Sequence, residues 1–409
     1  MSKRLLLLGG GHAHVHVLQA LAREPLAGAE VALLTPFPRQ LYSGMVPGLV
    51  AGHYGADDCA IALPALAQAA GVRFVEGAAA QLDTAARCVT LTDGRVAEYD
   101  VLSIDTGAVM DKSRLPGGRE HGLFVRPIEH FVRLLDGLWA LAAHRVLDVV
   151  VVGGGAAGVE LAMALQHRLV GPQAGGDGRA RIALVTGGPA PLAGYAPGVM
   201  RRAATALAWR RITVFREACV ALESGAVVLG NGARVACDAP VLATGAQAPA
   251  WLNGSGLRLD GPGFIVTGAT LQSASHSEVF AVGDVATRAD APHARSGVHA
   301  VRAGPPLELN LRRFVGGGAL QPHPPQARTL NLISCGDKNA IVSWGPLAAQ
   351  GRWAWWWKDR IDRGFVARYS QPVAPASVAA PAAALQAVPE PAAAPGAEPA
   401  AVTRSDETR

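Results

Sequence analysis

The chain has little of what several chemistries need. Its five cysteines, Cys59, Cys88, Cys219, Cys237 and Cys335, stand far apart, and neither C-x-x-C nor C-x-x-x-x-C occurs. That spacing excludes a zinc knuckle or a neighbouring dithiol, and no metal site is expected; an odd number of unpaired thiols suits a reducing compartment. Charge is modest too: the formal net charge is +5 with no basic run, so nucleic acid is not an expected partner. No apolar run approaches the roughly 20 residues of a membrane span. The four leucines after Lys3-Arg4 are too few for a secretory signal. The expected location is the cytoplasm or the inner face of its membrane.

What is abundant is apolar side chains and glycine. Hydrophobic residues make up 50% of the 409, enough for the cores of two domains. The 48 glycines keep no fixed period but gather at strand–helix junctions, which excludes a fibrous protein. One junction organises the rest. Val149-Val150-Val151-Val152 reads as a strand buried on both faces. Gly153-Gly154-Gly155-Ala156-Ala157-Gly158 follows, and then an amphipathic helix over 159–169. In that order Gly153 makes the turn, Gly155 admits a pyrophosphate close to the backbone, and Gly158 lets the helix lie against the strand. The helix start offers unpaired N–H groups and a positive dipole end.

The N-terminus repeats the pattern with Leu5 to Leu8, Gly9-Gly10-Gly11-His12-Ala13-His14 and a helix over 15–23. His14 stands where the third glycine should be. Two dinucleotide folds in one chain imply two dinucleotides and electron transfer between them.

The acidic residue that usually ends the second strand is missing from both folds. Glu30 to Leu34 runs into Thr35-Pro36, and Arg181 to Val185 into Thr186-Gly187-Gly188. No arginine directly follows Val185, which leans the second site toward NADH over NADPH. Residues 41–48 are turn-rich with little reason to be core. Asp93-Gly94, Asn231-Gly232 and Gly336-Asp337 read as hairpin turns. Two further buried strands end in Thr106-Gly107 and Thr244-Gly245. A third ends in Gly283-Asp284, whose carboxylate can accept hydrogen bonds from ribityl hydroxyls. Residues 296–311 read as a helix interrupted at Pro305-Pro306. Residues 171–178 read as a flexible loop, and the Ala/Pro-rich stretch from Gln371 as disordered.

These features together resemble the pyridine nucleotide–disulfide oxidoreductase superfamily over about residues 1–369. Gly153 to Ala162 resembles its type II NADH dehydrogenase branch. Gly9 to His14, Tyr42-Ser43-Gly44-Met45, Pro47-Gly48, Ala51-Gly52-His53-Tyr54, Gly297 to Arg302 and Ser343-Trp344-Gly345 are similar to a subgroup fused to selenide, water dikinase.

The resemblance implies an α/β chain of two Rossmann-like FAD/NAD(P)-binding domains, one inserted in the other. FAD would lie on 1–115 and 250–325, NAD(P)H on 116–249, with a C-terminal hairpin and Trp-rich helix over 326–370 and a tail over 371–409. It implies Gly9, Gly11, His12, His14, Ser43, Pro47, Thr106, Gly107, Gly283, Asp284 and Val298 around FAD. Gly153, Gly155, Gly158, Thr244 and Gly245 would lie around NAD(P)H, with Glu160 as the catalytic residue where the two rings meet. The redox disulfide is lacking. The Ala-Gln and Gln-Gln of the dehydrogenase branch are replaced by Gly297-Val298 and Arg302-Ala303.

Three functions follow: an NAD(P)H dehydrogenase passing electrons through FAD to a quinone-like or other acceptor, a soluble flavin reductase of selenium or sulfur metabolism, and a non-enzymatic flavoprotein sensing NAD(P)H. Over 351–369 five basic residues oppose two acidic ones, and Trp353, Trp356 and Trp357 can share a face. That segment is expected either to meet an anionic membrane surface or to cap the protein's own core.

Overall fold

The computed structural model describes residues 2–171 and 180–370. The expected loop over 171–178, all but its first residue, and the expected disordered tail lie outside the described residues. Strand β1 (Lys3–Leu8) is apolar on both faces, with Leu5 to Leu8 all buried, so it occupies the middle of a parallel sheet. Helix α1 (His12–Arg23) leads to β2 (Ala29–Thr35). β3 (Arg73–Glu76) and β4 (Val101–Ile104) follow.

The second sheet begins with β5 (Leu123–Phe124) and continues through α2 (Ile128–His144) to β6 (Leu147–Val152). After it come α3 (Ala156–Val170), β7 (Ala180–Val185), β8 (Thr213–Phe215) and β9 (Ala239–Leu242). The chain then returns to the first sheet with β10 (Val279–Ala281) and α4 (Gly297–Val315).

The two sheets have matching orders, β10-β4-β1-β2-β3 and β5-β9-β6-β7-β8. The pairings are parallel, and Leu8 opposite Ile104 corresponds to Val152 opposite Leu242. Each also carries a three-stranded antiparallel ribbon, Ala79–Asp83 with Cys88–Leu91 and Val96–Glu98, and Cys219–Glu223 with Ala226–Leu229 and Arg234–Ala236. Both ribbons turn on a left-handed glycine, Gly94 or Gly232, as the Asp-Gly and Asn-Gly pairs predict.

Several expectations need correction. α1 and α3 each start three residues earlier than expected, inside the glycine motif. Gly11 and Gly155 are extended N-caps whose carbonyls already accept Val15 and Val159 N–H. α4 runs unbroken through Pro305 and Pro306. Proline inside a helix costs about 3 kcal/mol, but this helix is pinned along its length: Ala303, Leu307 and Leu311 are buried, and Gly304 lies so close to α1 that a Cβ would be 2.8 Å from His16 Cβ.

The 41–48 stretch is core, not loop. Met45 enters the first sheet's hydrophobic cluster, while Val46 and Val50 enter the second's. The C-terminal hairpin is a three-stranded sheet, β11 (Leu330–Ser334), β12 (Ala340–Trp344) and β13 (Leu347–Gly351), followed by α5 (Arg352–Ser370). Trp355, Phe365, Val366 and Tyr369 of α5 are buried in the first core. Trp353, Trp356, Trp357 and Ile361 are exposed, as are Trp344 and Leu347 of the adjoining sheet.

Candidate functional site: two glycine turns and the loops that join them

At the second turn a Cβ on Gly158 would overlap the carbonyl oxygen of Gly153, and one on Gly153 (φ 140°) would strike the carbonyl of Ala243. These two glycines are therefore demanded by close packing of turn, helix and strand. Gly155 differs: nothing lies within 4 Å of where its Cβ would be, and the residue is exposed. The start of α3 has no side-chain cap. Thr244 and Gly245, after β9, are exposed beside this turn.

The first turn meets the same requirements differently. His14 is fully buried, with Nδ1 2.6 Å from the carbonyl of Gly9 and Nε2 2.8 Å from Ser103 Oγ. A carbonyl can only accept, so Nδ1 carries the proton and Ser103 donates to Nε2. Burial lowers the pKa of His14 to about 4, so the ring is neutral at pH 7. A ring nitrogen thus satisfies the carbonyl that, in the second turn, packs against a bare glycine.

Sequence reading missed Asp105, which structure places at the centre of this turn. Its Oδ2 accepts the N–H groups of Ala13 (2.8 Å) and His14 (3.0 Å), capping α1. Cβ atoms on Gly9 and Gly11 would run into Asp105, and one on Gly283 would lie 2.9 Å from Oδ1. Burial raises its pKa to about 6, against the two amide hydrogen bonds that favour the carboxylate. The available signal was the mismatch between Asp105-Thr106-Gly107 and Ala243-Thr244-Gly245. Among the described residues no hydrogen bond uses the amides of Gly10, Gly11 or His12.

Asp284 Oδ2 is 2.9 Å from an Arg126 guanidinium nitrogen. His12 lies 3.4 Å by Nε2 from Ser43 Oγ and 5.3 Å between ring centroids from Tyr42, and desolvation lowers its pKa. Pro47 is buried in a short helix over Val46–Val50. A Cβ on Gly297 would touch Ser43 Oγ at 3.5 Å, so Val298, in the first turn of α4, lies near this group. The loops after β4 and β9 meet, Val109 and Gln247 exchanging two backbone hydrogen bonds of 2.9 Å. Thr106-Gly107 and Thr244-Gly245 are thereby tied into one strap between the two turns.

Glu160, one turn into α3, points to the C-terminal sheet, where its Oε1 accepts the Ser334 N–H at 2.7 Å. The residue is only partly buried, but its carboxyl is desolvated and its pKa rises to about 7; Lys358 opposes the rise. All five cysteines are free thiols whose pKa burial raises, Cys59, Cys237 and Cys335 to about 12. None is a thiolate at neutral pH.

Residues 3–304 match the family model described as pyridine nucleotide-disulphide oxidoreductase. The chain belongs to this family. Membership implies FAD as cofactor. An NADH dehydrogenase-like protein of Mycobacterium tuberculosis is 31% identical over 252 residues, 59% of this chain and 62% of the relative. The chain thus spans less than two thirds of that relative's length. A demethylphylloquinone reductase of Synechocystis is 27% identical over 301 residues, 70% of this chain and 73% of the relative. The sulfide:quinone oxidoreductase of Aquifex aeolicus shares the fold, with a TM-score of 0.74 over 90% of this chain and 92% of that one at 18% identity. No helix among the described residues is long and apolar enough to cross a membrane.

Proposed function

We propose that the chain is an FAD-dependent NAD(P)H oxidoreductase that delivers electrons to a quinone-like acceptor. FAD would be held by 1–115 and 250–325 and NAD(P)H by 116–249. The observation that carries the reading is the pair of glycine turns, each opening a helix N-terminus and joined through the Val109–Gln247 strap. The residues fit the dinucleotides. The cradle around Gly9, Gly11 and Gly283 tolerates no Cβ, and the amides of Gly10, Gly11 and His12 are available to a pyrophosphate. Gly155 leaves the second turn open to the other one.

A bound FAD, held by the residues of the first turn with Gly283 and Asp284, would supply the hydride-accepting and electron-carrying chemistry. The chain's own residues bind and orient. Asp284, paired with Arg126, would accept hydrogen bonds from the ribityl hydroxyls. Neutral His14 keeps α1 in register with the turn. Glu160, with a pKa near 7, holds or releases a proton close to neutral pH beside Ser334 at the end of β11. Anaerobic mixing with NADH and with NADPH, followed by ubiquinone analogues and ferricyanide, tests this. A protein that carries no FAD, or whose flavin neither nucleotide reduces, would refute it.

The finer location rests on α5. Trp353, Trp356, Trp357 and Ile361, exposed beside Trp344 and Leu347, form an apolar patch next to the basic residues of the same helix. This supports docking on the anionic inner face of a membrane, where each basic side chain gains about 1 kcal/mol. Co-sedimentation with vesicles containing phosphatidylglycerol should fall with salt, and fall further in a Trp356→Ala/Trp357→Ala variant. Equal binding to neutral vesicles would contradict it.

A second reading, a soluble reductase of selenium or sulfur metabolism partnered with selenide, water dikinase, draws on the hydrogen-bonded fit of His14. That fit marks the motif as built, not damaged. Turnover with selenium or sulfur acceptors but not quinones would favour it.

A further inference from the structure

Beyond the edge strand β10 lies a small cavity of about 30 Å³, partly open to solvent, between that strand, the first turns of α4 and the segments around Arg288 and His323. The expected site residues Gly283 and Asp284 border it, but most of its lining serves neither glycine turn. Arg288 is 95% buried by its 5% exposure and holds Asp290 through Nε (2.9 Å) and Nη2 (2.8 Å). Nη2 also donates to the carbonyl of His323. Nη1 has no hydrogen-bond partner. Thr267 Oγ1, fully buried in the same lining, has none either. Buried guanidinium N–H groups are seldom left unpaired, so two orphaned polar atoms in one cavity point to a ligand with acceptor atoms.

The rest of the lining fixes its charge. Arg295 is held by stacking on Phe264, 3.4 Å from the ring centroid, and by donation to Thr287 Oγ1 at 2.6 Å. His293 and His299 stack face to face with centroids 3.8 Å apart, and His323 stands in the same lining. Stacked imidazoles repel when charged, and desolvation together with His293 and His323 lowers the pKa of His299 to about 4. The acidic residue in the lining, Asp284, is committed to Arg126. Among the described residues no cluster is suited to a metal ion, so the histidines are not a cation site.

We propose that this cavity binds a small oxyanion, with Arg288 Nη1 as its buried anchor and Arg295, His293, His299 and His323 as the flanking donors. An oxyanion presents several acceptor oxygens to the orphaned guanidinium donor and to the ring N–H groups beside it. The cavity adjoins the proposed cofactor site at Gly283 and Asp284, but its anchor and flanking donors are not among the residues assigned to either dinucleotide, so the proposal stands whatever reduces the flavin.

The test is calorimetric titration of the flavin-loaded protein with inorganic phosphate, against chloride at matched ionic strength. Saturable binding is expected, at least tenfold weaker in Arg288→Lys, which keeps a charge for Asp290 but loses the free fork. The same loss is expected in the partly exposed variants His299→Asn and Arg295→Ala, which decide the matter should Arg288→Lys fail to fold. Flavin content and thermal midpoint in phosphate-free buffer report folding. Competition between phosphate and ferricyanide would identify the ligand as the anionic end of an electron acceptor. Binding without competition would identify a free inorganic oxyanion. No saturable heat, or equal affinity in wild type and all three variants, would overturn the proposal.

Discussion

The two glycine turns occupy the same place in matching sheets yet meet one packing demand by opposite means. In the second, Gly158 lets α3 press against the Gly153 carbonyl with no side chain between. In the first, His14 occupies the equivalent position and hydrogen-bonds the equivalent carbonyl, and Ser103 stands where the second sheet has Val241 to receive the ring's other nitrogen. The strand-end residue differs in step: Asp105 caps α1, while Ala243 leaves α3 uncapped. The lesson is that the third glycine serves helix–turn packing, and a hydrogen-bonded ring can replace it when its surroundings change as a set.

The comparison breaks most severely at Gly158. Gly158→Val must push α3 from its turn, and misplacement of about 1 Å can cost on the order of 100-fold in rate. Reduction of the flavin by NADH should fall by that much in stopped-flow mixing, with flavin content unchanged. Writing the standard fingerprint into the first turn should be harmful: His14→Gly strands the Gly9 carbonyl and the Ser103 hydroxyl beside a cavity. It should cost about 3 kcal/mol in a denaturant titration, whereas a neutral result would show that His14 is not integrated.

Asp105 sharpens the contrast through pH. Its pKa is raised from 3.8 to about 6, so the stability tied to its neutral form is present below pH 4 and is lost as pH rises through 6. The loss is about 3 kcal/mol at most. Asp105→Asn keeps an oxygen for the two amides and should flatten the stability profile between pH 4 and 6; an unchanged profile would mean that the carboxylate is not buried as described. The smallest effect is expected from replacing all five cysteines with alanine, which should leave NADH-to-ferricyanide turnover within about twofold because none is a thiolate at neutral pH.

Much of this architecture was legible. Glycine turns flanked by apolar strands and helices, paired Thr-Gly strand ends and Asp-Gly or Asn-Gly hairpins act locally, so sequence shows them. What escaped depends on distant residues. Asp105 acquires its meaning from Ala13 and His14, more than 90 positions away. Pro305 and Pro306 look like a break until α1 is packed against α4. Met45 and Val46 look like loop until two cores claim them. The direction of Glu160, toward Ser334, is set by a sheet whose third strand, Leu347–Gly351, carries too few β-branched residues to announce itself.

The most direct test is anaerobic mixing of the purified protein and its Gly158→Val variant with NADH while flavin absorbance is followed. The account predicts that both carry FAD and that only the wild type bleaches rapidly. Equal bleaching in the two, or a wild-type protein without FAD, would contradict it.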